Sequence, residues 1–304
     1  SGSGNPHAEI EALTQAGDKS VNGTIVVTLE PCCHQGLTPP CTEALIKAGL
    51  KKVVVGMVDP DPRVSGKGIS RLKDSGLEVI EGVLNQECEG INREFIFRVR
   101  NGRPWGILKW AMSLDGRIGL QNGCSKWITN FPARDSVHQI RSKCDAVIVG
   151  GGTVRADNPL LTSRGKSTVE PLRVVFSKSL DLPKFAKLWD TKIAKTLIAY
   201  GPEGDEAFFS DLQDGPEKLR LNSNDPSELL KSLANKGCNK ILWECGPLLA
   251  TSAIADDCVQ ELVVFVAPKL LGGKSAMSPL NSFGFESINS TYKLQHSFLD
   301  RKGQ

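Results

Sequence analysis

The sequence predicts an α/β protein of two domains, and three observations carry that prediction. Runs rich in β-branched residues alternate with helical segments along the whole chain. A turn-forming stretch, Asn101-Gly-Arg-Pro104, interrupts the alternation. At 304 residues, the chain also exceeds the usual single domain. The first domain is assigned to residues 1–100 and the second to residues 104–304. In both, each strand is followed by helical sequence before the next strand, so mostly parallel sheets are expected.

In the first domain, Pro6 opens a helix through His7-Ala-Glu-Ile-Glu-Ala-Leu-Thr-Gln-Ala16, and Gly17 stops it. The run Gly23-Thr-Ile-Val-Val-Thr-Leu29 reads as a buried strand that delivers Glu30-Pro-Cys32 at its carboxyl end. After Pro39-Pro40, a helix runs from Cys41 to Ala48, placing Cys41 at a helix N-terminus, where a thiolate is favoured. A second strand, Lys52-Val-Val-Val-Gly-Met57, precedes the turn Asp59-Pro-Asp-Pro62. A helix from Ile69 to Asp74, the strand Leu77–Ile80 and one helix from about Gln86 to Val99 complete the domain.

Beyond Pro104 the alternation restarts with the strand Trp105–Met112, which leads into the turn Ser113-Leu-Asp-Gly116. A polar helix from Pro132 to Lys143 feeds the strand Ala146–Val149, which opens on Gly150-Gly-Gly-Thr153. Further strands are predicted at Leu172–Phe176, Thr196–Ala199, Lys240–Trp243 and Glu261–Val266. Asp225-Pro-Ser-Glu228 has the character of a capped helix start.

Composition narrows the classes. With 40% apolar and 23% charged residues the chain reads as an ordinary soluble protein, and no apolar run approaches the length of a membrane span. A net charge of +3 is too small and too scattered to argue for nucleic acid, yet it suits a phosphorylated small molecule. Nine irregularly spaced cysteines argue against a disulfide framework and for a reducing compartment, with some thiols on metal. The expected location is the cytoplasm, or an organellar stroma after processing.

The chemistry concentrates in Pro6-His-Ala-Glu9 and Thr28-Leu-Glu-Pro-Cys-Cys-His-Gln-Gly-Leu-Thr-Pro-Pro-Cys41. Zinc deaminases pair His-x-Glu with Pro-Cys-x-x-Cys. Here the second half is stretched, with eight residues between Cys32 and Cys41. If His7, Cys32 and Cys41 hold Zn²⁺, a fourth position stays open for water and Glu9 is free to shuttle its proton. A structural site closed by Cys33 or His34, and packed residues without metal, are the alternative readings. His34 by itself reads as a polar loop residue or a substrate contact, and His138 and His296 read as solvated surface residues.

The residues from Leu29 to Cys41 resemble the bifunctional deaminase/reductase family of riboflavin biosynthesis, RibD or RibG. The resemblance continues through Lys109-Trp-Ala-Met-Ser-Leu-Asp-Gly116, Ser125-Lys-Trp-Ile-Thr129, Thr153-Val-Arg-Ala-Asp-Asn-Pro159, Glu244-Cys-Gly-Pro-Leu-Leu249 and Ala267-Pro-Lys-Leu-Leu-Gly272. It implies a cytidine-deaminase-like zinc domain followed by a dihydrofolate-reductase-like domain. The first would remove the ring 2-amine of 2,5-diamino-6-ribosylamino-4(3H)-pyrimidinone 5′-phosphate. The second would use NADPH to reduce the ribosyl group to ribityl. The resemblance also implies a homo-oligomer, with neither nucleic acid nor membrane as a partner.

Carried over residue by residue, the resemblance makes His7, Cys32 and Cys41 the zinc ligands and Glu9 the proton shuttle. Lys109, Ser125, Arg141, Arg164 and Glu244 become substrate contacts, joined by His34 in the first domain. Trp127, Thr153, Asp157, Gly246, Pro247, Leu248, Leu249, Ala250, Thr251 and Ser252 become contacts to NADPH. The residues alone support these roles more weakly. Arginine binds a sugar phosphate bidentately, and a carboxylate at the end of an apolar strand, as at Glu244, needs a partner. The glycine turns at 150–153 and 245–247 follow strands and open onto helices, but neither is a Gly-x-Gly-x-x-Gly fingerprint, so glycine content alone favours a structural turn. Trp127 reads either as core or as a cofactor wall.

Two departures from the family pattern set further expectations. Only six residues precede His7, so the first helix and strands of the family's first domain are expected to be lacking. Leu37 stands where relatives place Lys or Arg near the substrate phosphate, which should weaken binding of an anion. The rival functions are a reductase with a structural or decayed zinc domain, a nucleoside or nucleic-acid deaminase, and a non-enzymatic zinc scaffold.

Overall fold

The computed structural model describes residues 6–36, 38–212, 215–273, 275–297 and 299–300. Leu37 lies outside these described residues. The chain divides into two compact units, Ser1–Gly102 and Arg103–Gln304.

The first unit runs α1 (Ala8–Ala16), β1 (Thr24–Leu29), α2 (Cys41–Lys47), β2 (Lys52–Met57), α3 (Lys67–Asp74), β3 (Glu78–Glu81), α4 (Asn85–Ile91) and α5 (Arg93–Asn101). Its strands pair in the order β1-β2-β3, both pairings parallel. Val53 and Val55 of the central strand are buried against Leu45 of α2 and Ile69 and Leu72 of α3, forming the core. The single helix predicted over residues 86–99 is two helices, because the chain leaves helical geometry at Asn92. The Asn92 side chain donates to Cys88 O at 2.9 Å and occupies the carbonyl at that break.

The buried Glu30, directly after β1, ties this unit together. Its carboxylate accepts from Asp59 N at 3.1 Å, Gly66 N at 2.9 Å and Ile69 N at 3.1 Å. One anion therefore joins the end of β1 to the loop after β2 and to the first turn of α3. Close packing of α3 on this corner requires Gly68, since a Cβ there would stand 2.2 Å from Pro31 O.

The second unit runs β4 (Trp105–Ser113), α6 (Phe131–Arg141), β5 (Ala146–Gly150), α7 (Gly151–Asp157), β6 (Leu172–Ser177), β7 (Thr196–Tyr200), β8 (Glu217–Arg220), α8 (Pro226–Asn235), β9 (Lys240–Trp243), α9 (Pro247–Ala255) and β10 (Glu261–Ala267). Seven strands form one sheet in the order β10-β4-β9-β5-β6-β7-β8, and every pairing is parallel. The short charged edge strand β8, Glu217-Lys-Leu-Arg220, lacks the apolar run that marks the others and was not predicted. Helix α6 ends at Arg141, two residues before the predicted Lys143.

Two apolar clusters cover the faces of the large sheet. Leu108, Ile148, Val174, Leu197 and Trp243 pack under α8 and α9 residues on one side. Val147, Val149, Val175, Ile198 and Leu242 pack on the other. These strands are buried on both faces, as their near-continuous Val/Ile/Leu runs require. Strands β5 to β8 wind one way, while β9 returns to lie between β4 and β5. The reversal leaves a crevice outside the carboxyl ends of β4, β9 and β5, where sheets of this kind bind ligands. Among the described residues no helix is long and apolar enough to cross a membrane.

Gly68→Ala should destabilise the first unit by about 1–3 kcal/mol, because the Pro31 carbonyl is backbone and cannot rotate away. Urea unfolding checks this, and a wild-type midpoint would contradict it.

Candidate active sites

His7 caps the N-terminus of α1, Cys32 follows the end of β1, and Cys41 is the first residue of α2. A helix start, a strand end and a second helix start thus deliver one donor each. The three donor atoms lie within 4.8 Å of one another and are the only such His/Cys/Asp/Glu group among the described residues. His7 Nδ1 is 3.2 Å from Cys41 Sγ and 3.7 Å from Cys32 Sγ. Donors around a tetrahedral zinc ion, with bonds of about 2.0 Å to nitrogen and 2.3 Å to sulfur, stand about 3.5–3.8 Å apart. The residues therefore fit Zn²⁺. Neither Cys33 nor His34 joins the group, so the three protein donors leave a fourth position open.

The electrostatics of the trio are those of a thiolate pair sharing a proton. A hydrogen bond from the Cys41 thiol draws Cys32 down to about 5, helped by the Cys41 backbone N–H at 3.3 Å. Cys41, which gives that bond and is buried, is raised above the usual thiol range. The half-buried Glu9, in the first turn of α1, is near enough for its charge to help raise Cys41. Its carboxylate faces the donor group without belonging to it. Half-buried His34 stands on the loop between Cys32 and Cys41, and its Nδ1 has no partner among the described residues.

Sequence reasoning treated Asp59 only as part of a turn. It is buried two residues beyond the end of β2, and burial pushes its carboxyl up to about 6. The nearby negative charges of Asp61, Glu30 and Cys32 add to that rise. Its position at the carboxyl end of a parallel strand was the available signal.

In the second unit the crevice holds a half-buried ionic cluster. Glu244 follows β9 and receives both arms of Arg141, Nε to Oε1 at 2.5 Å and Nη2 to Oε2 at 3.0 Å. Lys109, on the central part of β4, is 3.8 Å from Glu244 Oε2. Burial alone would raise the Glu244 carboxyl, but Arg141 and Lys109 hold it down at about 2. Arg141 also donates through Nη1 to Thr162 O at 3.0 Å. The carboxylate that needed a partner thus has two.

The remaining predicted residues stand on other loops and helix starts of this unit. Trp127 is 66% exposed, which excludes the core reading, and Arg134 stacks on its ring at 4.5 Å. Lys126 bridges towards α7 through an ion pair of 3.4 Å with Asp157. Thr153 lies in the first turn of α7, on the glycine run that closes β5. Gly246 caps α9, Pro247 opens it, Leu248 is exposed, Leu249 packs towards Gly150, and Ala250 is buried. Thr251 Oγ1 accepts from Asn281 N at 2.8 Å, and Ser252 Oγ donates to Leu248 O at 3.2 Å. Ser125 is half-buried on the loop before α6. Arg164 is exposed on the loop after α7 and is not bonded into the Glu244 cluster.

One expectation is corrected here. His138 is half-buried beside Arg141 and is not a solvated surface residue; its position on α6, three residues before Arg141, turns it inwards. His296 is exposed, as its reading required.

Comparison with known proteins covers both units. Residues 104–302 match the RibD C-terminal domain, and residues 1–57 match the cytidine and deoxycytidylate deaminase zinc-binding region. The riboflavin biosynthesis protein RibD of Synechocystis is 50% identical over 292 residues, 96% of this chain and 79% of that protein. The chain belongs to the RibD family. The RibD protein of Aquifex aeolicus is 38% identical over 303 residues, 99% of this chain and 84% of its own length. Among solved structures, Acinetobacter baumannii RibD superposes with a TM-score of 0.83 at 36% identity, covering 96% of this chain and 81% of that one. A Thermotoga maritima diaminohydroxyphosphoribosylaminopyrimidine deaminase/5-amino-6-(5-phosphoribosylamino)uracil reductase gives 0.80 at 32% identity, covering 98% and 83%. As a RibD-family member, the chain is a two-domain enzyme of riboflavin biosynthesis, a zinc-binding deaminase followed by a reductase.

Glu244 makes stability pH-dependent. Its carboxyl titrates at about 2 in the fold, against an ordinary 4.5, so its contribution is whole above about 4.5 and is lost as pH falls towards 2. Glu244→Gln should remove that acid-side dependence. By leaving Arg141 without its counter-charge, it should also cost about 3–5 kcal/mol at neutral pH. Guanidinium unfolding at pH 7 and pH 3 reads both effects, and a variant as stable as wild type at pH 7 would contradict the assignment.

Proposed function

We propose that the chain acts on 2,5-diamino-6-ribosylamino-4(3H)-pyrimidinone 5′-phosphate, removing the ring 2-amine in its first unit and then, in its second, using NADPH to reduce the ribosyl group to ribityl. The observation that carries the reading is the donor set of three, His7, Cys32 and Cys41, with the non-ligating Glu9 beside it. A structural zinc site would close the fourth position with a protein group, and none joins the cluster among the described residues.

His7, Cys32 and Cys41 would hold the zinc ion, which would supply Lewis acidity and a nucleophilic water near neutral pH. Glu9 takes a proton from water and returns it to the amine nitrogen as ammonia leaves, a role worth about 10²–10⁴ in rate. His34, on the loop between the two cysteine ligands, is read as a contact to the substrate.

NADPH bound in the second unit would supply hydride. Trp127, Thr153, Asp157 and the residues from Gly246 to Ser252 line its place, where the glycine run at 150–152 and the α9 N-terminus present bare backbone to phosphates. Arg141 and Lys109, fixed by Glu244, face the sugar, and exposed Arg164 and half-buried Ser125 complete the contacts to the phosphorylated substrate. All nine cysteines are free thiols, which suits a reducing compartment such as the cytosol.

The reading is tested by mass spectrometry of products after incubating the chain, zinc and NADPH with the diaminopyrimidine ribosyl phosphate, with a parallel sample given the already deaminated compound. Both should end at the ribityl uracil. Reduction of only the deaminated compound would show that the zinc unit is structural, and conversion of neither would overturn the assignment.

A further inference from the structure

We propose that His138 is a positioning residue of the reductase crevice, its Nδ1 accepting an N–H of Arg141 and so aiming the guanidinium at the bound sugar phosphate. The proposal rests on the reading that this substrate binds against Arg141 and Glu244.

Arg134, His138 and Arg141 lie at positions i, i+4 and i+7 of α6, on one face of the helix. At one end, Arg134 stacks on Trp127 and donates to Thr129 O at 2.7 Å. At the other, Arg141 clasps Glu244. His138 sits between them, with Nδ1 3.5 Å from Arg141 Nη1.

A guanidinium has five N–H donors and no acceptor. Nε and one N–H of Nη2 go to Glu244, and one N–H of Nη1 goes to Thr162 O. The second Nη1 N–H goes to His138 Nδ1, so that nitrogen accepts and the ring proton sits on Nε2. The remaining Nη2 N–H is the one available to a ligand. Without His138 the outer edge of the guanidinium is held by Thr162 alone on the side away from Glu244.

The charged groups facing the ring are Arg141 and Asp135 of α6, Arg164 of the loop after α7, and Glu244 after β9. Burial first, then the two arginines, keep His138 below the ordinary histidine value, so the ring is neutral at pH 7. Protonation would replace the acceptor by a donor and set a third cation beside Arg141 and Arg164. Substrate binding should therefore weaken as pH falls into the range where His138 charges.

Two variants and one spectroscopic measurement decide the matter. His138→Phe keeps a ring but has no acceptor, whereas His138→Asn offers an amide oxygen where Nδ1 stood and cannot be protonated. His138→Phe should raise KM for the deaminated substrate about five- to tenfold, with kcat and KM for NADPH changing little. His138→Asn should restore most of that loss and abolish any acid-side rise in KM that belongs to the histidine. Independently of substrate, ¹⁵N NMR of the imidazoles of the zinc-loaded enzyme should show His138 as the Nε2–H tautomer. A wild-type KM in folded His138→Phe, or an Nδ1–H tautomer, would overturn the proposal. If wild type fails to reduce the substrate, the reading of the site falls, and the tautomer still decides what His138 does to Arg141.

Discussion

A carboxylate directly after a parallel strand anchors each unit. In the first, Glu30 after β1 gathers three backbone N–H groups from residues 59, 66 and 69. In the second, Glu244 after β9 gathers Arg141 and Lys109. A buried anion is costly unless its oxygens are paired, so each forces neighbouring elements into register around itself. Parallel pairing brings the carboxyl ends of adjacent strands to one edge of a sheet, and both anchors stand at such an edge.

The two anchors use that constraint differently. Glu30 is saturated by backbone and has no chemistry left to offer; it fixes the corner from which Pro31 and Cys32 extend towards His7 and Cys41. Glu244 is paired with cations that keep donors in reserve, so the same kind of anchor becomes part of a binding surface. One carboxylate builds a site, and the other belongs to one.

Much of this was legible in the residues. Val/Ile-rich runs located nine of the ten strands, and those at the centre of the large sheet are apolar throughout because both their faces are buried. β8 escaped because an exposed edge strand is short and charged. The break at Asn92 escaped because the apolar period continues across it and only a side-chain bond to Cys88 O reveals it. In the sites, His-x-Glu with two cysteines announced a metal chemistry that needs those residue types. The partner of Glu244 was required in principle, but its identity as Arg141, 103 positions away, depends on the sheet order. His138 was misread because a lone histidine on a polar helix carries no signal until its i+3 neighbour is seen to be buried.

The claim on which the account turns is that the zinc site has three protein ligands and an open fourth position. X-ray absorption at the zinc edge of the zinc-loaded chain measures this directly. The account predicts two sulfur neighbours at about 2.3 Å, one imidazole nitrogen at about 2.0 Å and one further light atom from solvent. A third sulfur or a second imidazole in the shell would show that Cys33 or His34 closes the site, and that the metal is structural.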